Sequence, residues 1–330
     1  MAGAIWAVAE LGTDGLPTRL SCEAATAARL LGAGAGRSAA AVIVAPDPAA
    51  AAASLAEFVP RVIAIRVADE REAGTCASAE AVLRVVEDEE PDVLVLGATP
   101  EGREIAGILA ARLGRGVLGN ATGIAWGAGD DGAGPGPRVE MSVLGGRALT
   151  TSAFTDGRGI VTLRPNAVPA TTTAISGTVE ARATPPSPAQ RTRVVARADA
   201  AARGASIEES QIIVAGGRGL GGPEGVALLE ELAAALGAAV ASTRAAVDAG
   251  WLPYASQVGQ TGKTIRPSVY LGVGVSGAIQ HRVGMQDAET IIAVNRDPDA
   301  PLAEHADLYV VGDLFEVVPA LTAALRARTG

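Results

Sequence analysis

Histidine, cysteine and lysine are nearly missing from this 330-residue chain, which holds His281 and His305, Cys22 and Cys76, and the single lysine Lys263. No His/Cys/carboxylate metal cluster and no Ser/His/Asp triad can be assembled from what remains, which argues against a metalloenzyme and a hydrolase. Cys22 and Cys76 lie far apart with no metal or redox spacing, so both read as buried, reduced thiols. Aromatic residues make up only 3% and no basic stripe is present, while 27 basic against 36 acidic residues give a net charge of −9. That excludes the stacking platforms and the electrostatic footprint of a nucleic-acid binder. No apolar run has the length and purity of a membrane span, although mean hydropathy is +0.28, because Ala and Gly supply much of the apolar content. The start "MAGAIWAVAELGTDG" lacks a basic n-region and a small-residue cleavage site, so a cytoplasmic protein is expected.

What is present is alternation. Ile5–Glu10, Ala41–Ala45, Val62–Val67 and Asp92–Gly97 read as buried strands between the helical patterns Pro17–Leu31, Ser78–Glu89 and Glu101–Leu113. After the loop "WGAGDDGAGPGPR", Val139–Val161 reads as shorter strands. Pro185–Ala205 turns Pro-rich and then Arg/Ala-rich, as a domain tail running into a linker does. A second alternation follows: strands Gln211–Ala215, Ala238–Ser242, Ser268–Val275, Thr290–Val294 and Leu308–Val311, with helices Pro223–Leu236 and Val317–Arg328. The expected fold is α/β, two tandem domains over residues 1–204 and 205–330, each a mostly parallel sheet flanked by helices. The two halves show no internal repeat.

Four glycine clusters bear on function. "GAGAGR", Gly32–Arg37, follows a helix and precedes a strand, the wrong order for dinucleotide binding, and reads as a helix-ending turn. "GQTGKT", Gly259–Thr264, resembles the end of a P-loop, but Gln257 stands where that pattern needs glycine and Pro267 obstructs the following helix. A ligand-contacting turn remains open there, since Gln260, Thr261 and Lys263 bring an amide, a hydroxyl and an ammonium together. "GGRGLGGPEG", Gly216–Gly225, has the right strand-to-helix context, with free N–H groups at a helix start and Arg218 to pair with phosphate. "GVSGAIQH", Gly274–His281, repeats that logic with Ser276 and Gly277; His281 there reads either as a ligand group or as a helix-terminus histidine bonded to a carbonyl. His305 reads as a surface residue. A cofactor carrier fits these ligand-binding residue types at strand ends better than a hydrolase does.

The stretches "GGRGL", "RAAVDAG", "QVGQTGK", "GVSGAIQHRVGM", "IIAVNRDPDAP" and "ADLYVVGDLFEVVPAL", in this order, closely resemble the α subunit of electron transfer flavoprotein. "AELGTDG", "TAARLLG", "DVLVLGATPEGREIAGILAARLG" and "TLRPNAV" extend a looser resemblance over the first domain.

The resemblance implies a Rossmann-like second domain binding FAD in an αβ heterodimer with an electron transfer flavoprotein β subunit. It implies electrons taken from acyl-CoA dehydrogenase-type flavin dehydrogenases and delivered to a membrane-bound quinone oxidoreductase, with no substrate turnover of the carrier's own. By motif position, Arg218, Thr243 and Arg244 line the FAD site. Val258, Gly259, Gln260 and Thr261 form a loop against the ring, with Thr261 near its N5. Ser276, Gly277, Ala278, Ile279, Gln280 and His281 hold the diphosphate and bring His281 to the C2 carbonyl, as a donor or cation beside Arg244. Asn295, Asp313 and Leu314 serve the adenosine end. Thr243 replaces the family's common serine and keeps the hydroxyl, whereas Asn120 stands where aspartate is frequent. The alternatives are an NAD(P)-linked or electron-bifurcating flavoprotein subunit, an NAD(P)-dependent dehydrogenase, and a binding module that has lost its flavin. A dehydrogenase needs a strand-linked G-x-G-x-x-G with a following acidic residue and a hydride-site base, which cannot be assembled here.

Overall fold

The computed structural model describes residues 3–67, 74–129, 132, 134–143, 148–174, 176–183, 207, 208 and 210–329. The chain divides into two compact units, Met1–Ala198 and Asp199–Gly330. The expected linker Pro185–Ala205, and with it the boundary at 204/205, lies outside the described residues.

In the first unit, strands β1 (Ile5–Ala9), β2 (Ala39–Ala45), β3 (Arg61–Arg66) and β4 (Val93–Gly97) alternate with helices α1 (Arg19–Ala35), α2 (Ala49–Leu55), α3 (Thr75–Glu89) and α4 (Pro100–Leu113). Then follow β5 (Val117–Gly127), β6 (Gly136–Val143), β7 (Ala148–Ala153), β8 (Gly159–Leu163) and β9 (Thr178–Ala183). They form one sheet of order β7-β6-β5-β8-β4-β1-β2-β3-β9, antiparallel only at β5–β6 and β6–β7. The central strands are continuously apolar because both faces are covered. In β1, Ile5, Ala7 and Ala9 join the core under α1, while Trp6 and Val8 join the core under α3 and α4.

Local chemistry moves several boundaries. Helix α1 starts at Arg19 rather than at Pro17, because Thr18 is its N-cap and accepts the Ser21 N–H. It runs through Gly32 and Gly34 and stops at Gly36, which takes the left-handed conformation at φ 63°. Strand β5 carries no apolar alternation in sequence and is half-exposed, so periodicity gives no sign of it. Asn120 sits in β5 at φ 60°, where the register against β8 shifts between Leu118 and Ala121. Its side chain tolerates that left-handed backbone better than most, which gives the asparagine a structural reason. The expected loop from Trp126 shrinks, since Trp126–Gly127 closes β5 and Gly136–Arg138 opens β6. Cys22 is buried as expected, but Cys76 is only half-buried, with its thiol 3.8 Å from Glu104 Oε1.

The second unit is a five-stranded, fully parallel sheet of β10 (Ile212–Gly216), β11 (Ala239–Ser242), β12 (Val269–Val273), β13 (Thr290–Asn295) and β14 (Leu308–Val311). Helices α5 (Pro223–Leu236), α6 (Arg244–Asp248), α7 (Ile279–Arg282) and α8 (Leu314–Thr329) accompany it. Helix α8 begins three residues before the expected Val317, because Asp313 Oδ1 accepts the Phe315 N–H at 2.8 Å. The strand order is β11-β10-β12-β13-β14. The chain therefore leaves β10 towards one edge and returns on its other side, opening a switch point between the carboxyl ends of β10 and β12.

Candidate functional site

At that switch point the two glycine turns meet backbone to backbone. Gly217 N–H donates to the Val273 carbonyl at 3.0 Å and Gly219 N–H to the Gly274 carbonyl at 3.0 Å. A Cβ on Gly219 would fall 2.7 Å from the Gly274 Cα, so the approach itself demands glycine. This changes the reading of Gly216–Gly225. Gly217 and Gly219 serve loop-to-loop packing, and only Arg218 and Gly219 of that turn face the cleft; the start of α5 does not.

The cleft has a volume of about 750 Å³, within the usual range for small-molecule sites. Its walls come from five places. Arg218 and Gly219 follow β10; Thr243, Arg244, Ala245 and Asp248 follow β11; Val258, Gly259 and Thr261 lie on the next loop. Gly274 to Ala278, Gln280 and His281 follow β12, with Val275 left out, and Asn295 to Asp297 with Ala300 and Pro301 follow β13. Of the residues expected from sequence, Arg218, Thr243, Arg244, Val258, Gly259, Thr261, Ser276, Gly277, Ala278, Gln280, His281 and Asn295 come together here. Gln260, Ile279, Asp313 and Leu314 do not line the cleft. Gln260 and Ile279 are exposed, Asp313 caps α8, and the Leu314 side chain belongs to the core with Val318.

The loop from Gln257 to Lys263 is built by its own polar bonds. Gln257 and Val258 form isolated bridges with Ser242 and Lys263, and the Gly259 N–H donates to the Lys263 carbonyl at 3.0 Å. Gln260 N–H donates to the Gln280 carbonyl at 2.7 Å, tying the loop to α7. The amide–hydroxyl–ammonium grouping read from sequence separates: Gln260 points to solvent, and Lys263 Nζ pairs with Glu208 Oε2 at 3.0 Å, leaving Thr261 at the cleft.

His281 is held from both sides. Its Nδ1 lies 3.0 Å from the Val258 carbonyl and its Nε2 lies 2.7 Å from Tyr270 Oη. A carbonyl only accepts, so Nδ1 carries the hydrogen and Nε2 accepts from the phenol. Burial pushes the imidazole pKa down to about 4, against a smaller upward pull from the Val258 carbonyl, and also pushes the Tyr270 phenol up. In the structure burial favours the neutral imidazole and both ring nitrogens are engaged by protein, while the ring also lines the cleft. The carbonyl-bonded histidine, the other reading of the sequence, is what the structure contains. Asn295 is likewise engaged, donating from Nδ2 to the Val275 carbonyl at 3.0 Å and accepting the Asp297 N–H at 3.2 Å.

Three polar side chains of the cleft lining stand out, Arg218, Arg244 and Thr243. Arg218 is exposed on the first turn, and Arg244 is exposed with a 3.3 Å ion pair to Asp248 at the rim. Thr243 Oγ1 is buried beside the cleft and has no hydrogen-bond partner among the described residues, although Thr243 stands at the N-cap position of α6. A buried hydroxyl in that condition calls for a partner from outside the chain. Hydroxyls, arginines and close backbone turns at a switch point fit a phosphate-bearing cofactor.

A parallel α/β unit with such a cleft defines a nucleotide-cofactor-binding domain. Residues 206–286 match the family model described as the electron transfer flavoprotein FAD-binding domain, and residues 5–201 match that of the electron transfer flavoprotein domain. The electron transfer flavoprotein subunit alpha of Mycobacterium leprae (strain TN) is 41% identical over 249 residues, covering 74% of this chain and 75% of that protein. That of Bacillus subtilis (strain 168) is 38% identical over 251 residues, covering 72% of each. Protein FixB of Bradyrhizobium diazoefficiens is 37% identical over 254 residues, covering 76% of this chain and 68% of that protein. The chain belongs to the electron transfer flavoprotein α subunit family, and FAD is the cofactor its second domain binds. No helix among the described residues is long and apolar enough to cross a membrane.

Proposed function

We propose that this chain is the α subunit of a heterodimeric electron carrier. It takes electrons from flavin dehydrogenases of the acyl-CoA dehydrogenase type and passes them to a membrane-bound quinone oxidoreductase. The observation that carries this reading is the cleft itself, with its unsatisfied Thr243 hydroxyl and flanking arginines. Bound FAD supplies the one- and two-electron chemistry. In this reading the chain's own residues bind and orient. Arg218 offers charge to phosphate, Thr243 and Ser276 offer hydroxyls, and neutral His281 clamps the Val258 carbonyl and so the loop that carries Thr261. A β subunit as partner is supported by apolar side chains left exposed, among them Ile279 beside the cleft-lining Gln280 and Leu149 on β7 of the first unit.

The test is to express the chain with and without its candidate β subunit and to measure flavin absorbance. The purified complex is then mixed with an acyl-CoA dehydrogenase and substrate, or with NADH. Reduction by the dehydrogenase alone supports the proposal. Reduction by NADH alone would move the chain to the NAD-linked or bifurcating reading, and a colourless complex would overturn both.

A further inference from the structure

Gln257, which in sequence only breaks a P-loop pattern, is 2% exposed at the root of the loop that brings Thr261 to the cleft. Its carbonyl accepts the Lys263 N–H at 2.7 Å and its N–H donates to the Tyr254 carbonyl at 2.9 Å, so its backbone is fixed. Its side-chain Nε2 donates to Thr261 Oγ1 at 3.0 Å. A carboxamide nitrogen only donates. The threonine oxygen is therefore the acceptor, and its own hydrogen must point elsewhere. Thr261 is exposed, lines the cleft, and its hydroxyl hydrogen has no protein acceptor among the described residues. A second anchor holds the same residue, because Tyr254 Oη donates to the Thr261 carbonyl at 2.7 Å. A hydroxyl at an exposed loop tip would ordinarily rotate freely; here a buried amide removes that freedom.

We propose that Gln257 is a positioning residue: by donating to Thr261 Oγ1 it makes that hydroxyl an obligate donor into the cleft. A preorganised donor, polarised by a second hydrogen bond, favours an acceptor that gains negative charge over one that does not. Gln257 thus raises the reduction potential of the bound flavin without touching it. This rests on the reading that FAD occupies the cleft with its ring against the Thr261 loop.

The test is a double-mutant cycle on the αβ complex, with midpoint potentials from spectroelectrochemical titration and FAD affinity measured separately. Gln257→Met keeps the volume and removes the donor. We expect about tenfold weaker differential stabilisation, a fall of about 59 mV for one electron, with FAD still bound. Thr261→Val should lower the potential as well, and the double variant should fall no further than Thr261→Val alone. Gln257→Glu keeps the shape but only accepts; its potential should fall below that of Gln257→Met, and the part due to reversed bonding should vanish in the Thr261→Val background. A wild-type potential for both Gln257 variants overturns the proposal, as does an undiminished Gln257→Met shift in the Thr261→Val background. A shift absent from Thr261→Val itself overturns it too. A wild-type complex that binds no FAD overturns the parent reading, and with it this one; a flavin-loaded complex with unmoved potentials overturns only the role of Gln257.

Discussion

Tyr270 Oη and His281 Nε2 lie 2.7 Å apart, in a buried contact between the start of β12 and the short helix α7 that follows it. Because His281 Nδ1 is bonded to the Val258 carbonyl, the pair forms a chain from the sheet interior to the loop at the cleft. The phenol keeps its hydrogen, since burial raises its pKa, and donates it to an imidazole that burial keeps neutral. The histidine acts here as a buried strut with one fixed tautomer, placed between the strand and the loop that closes the site.

That arrangement has a direct pH consequence. The native imidazole titrates at about 4 while the ordinary value is 6.5, so the unfolded chain takes up the proton first. Stability from this residue is whole above about pH 6.5, declines as pH falls toward about 4, and levels off below that. The gap amounts to roughly 3 kcal/mol at about 1.36 kcal/mol per pH unit. With only His281 and the exposed His305 in the chain, proton NMR reads both at once. The His281 ring signal should stay that of the neutral imidazole from pH 7 down to about pH 5. A His281 ring that titrates near the ordinary 6.5 would refute the strut.

The contrast between the two histidines shows what sequence carries and what it does not. The alternation of apolar strands and helices placed most elements of both units within a few residues, because strands buried on both faces must be continuously apolar. The glycine turns and the loop of Thr261 were legible as a site because they fall at strand ends of the second sheet. What remained hidden depends on partners distant in sequence. Whether His281 faces a ligand or Tyr270, whether Lys263 faces the cleft or Glu208, and what Gln257 holds are all settled by contacts that no local pattern encodes. Strand β5 was hidden for another reason: half-exposed, with Gly119, Asn120 and Gly123, it lacks the apolar period by which strands are read.

Arg218 offers a second test. It is exposed beside the switch point, on the three-residue turn between β10 and α5, and no described residue pairs with it. Its removal should leave folding nearly unchanged and weaken FAD binding by about 1.5–3 kcal/mol, the range for hydrogen bonds to charged groups. Fluorescence titration of apoprotein with FAD for Arg218→Ala measures this directly. An affinity within twofold of wild type would remove Arg218 from the site.

Two glycines should respond in opposite directions to the same substitution. Gly277 has φ 80°, and an added Cβ would fall 2.6 Å from the Leu302 backbone nitrogen. Gly277→Ala should lose at least the roughly 1–2 kcal/mol of left-handed strain and displace the Ser276 side of the cleft, weakening FAD as well. Gly107 is exposed within α4, and a methyl added there would meet nothing within 4 Å. Gly107→Ala should stabilise the first unit by roughly 0.5–1 kcal/mol with no effect on FAD. Thermal unfolding of the two variants, with FAD titrations alongside, separates them.

Thr243 should show fold and site pulling against each other. Its Oγ1 is buried with no partner among the described residues, which in the absence of a ligand costs roughly 1–3 kcal/mol of desolvation. Thr243→Val replaces that hydroxyl by a methyl of nearly the same shape, so the flavin-free protein should hold its melting temperature or gain on it. The same change removes a hydroxyl from the cofactor's reach, so FAD affinity should fall, by about 1 kcal/mol for a neutral hydrogen bond or more for one to phosphate. Thr243→Ser keeps the hydroxyl and should match the wild type in affinity. The measurement is a pair of melting curves, without FAD and with FAD in excess, for all three proteins. The extra stability conferred by excess FAD reports affinity by linkage, and it should shrink for Thr243→Val alone. A valine variant that melts lower than wild type without FAD would mean the hydroxyl already has a partner in the folded chain. One that binds FAD as tightly as wild type would mean that this hydroxyl does not face the cofactor.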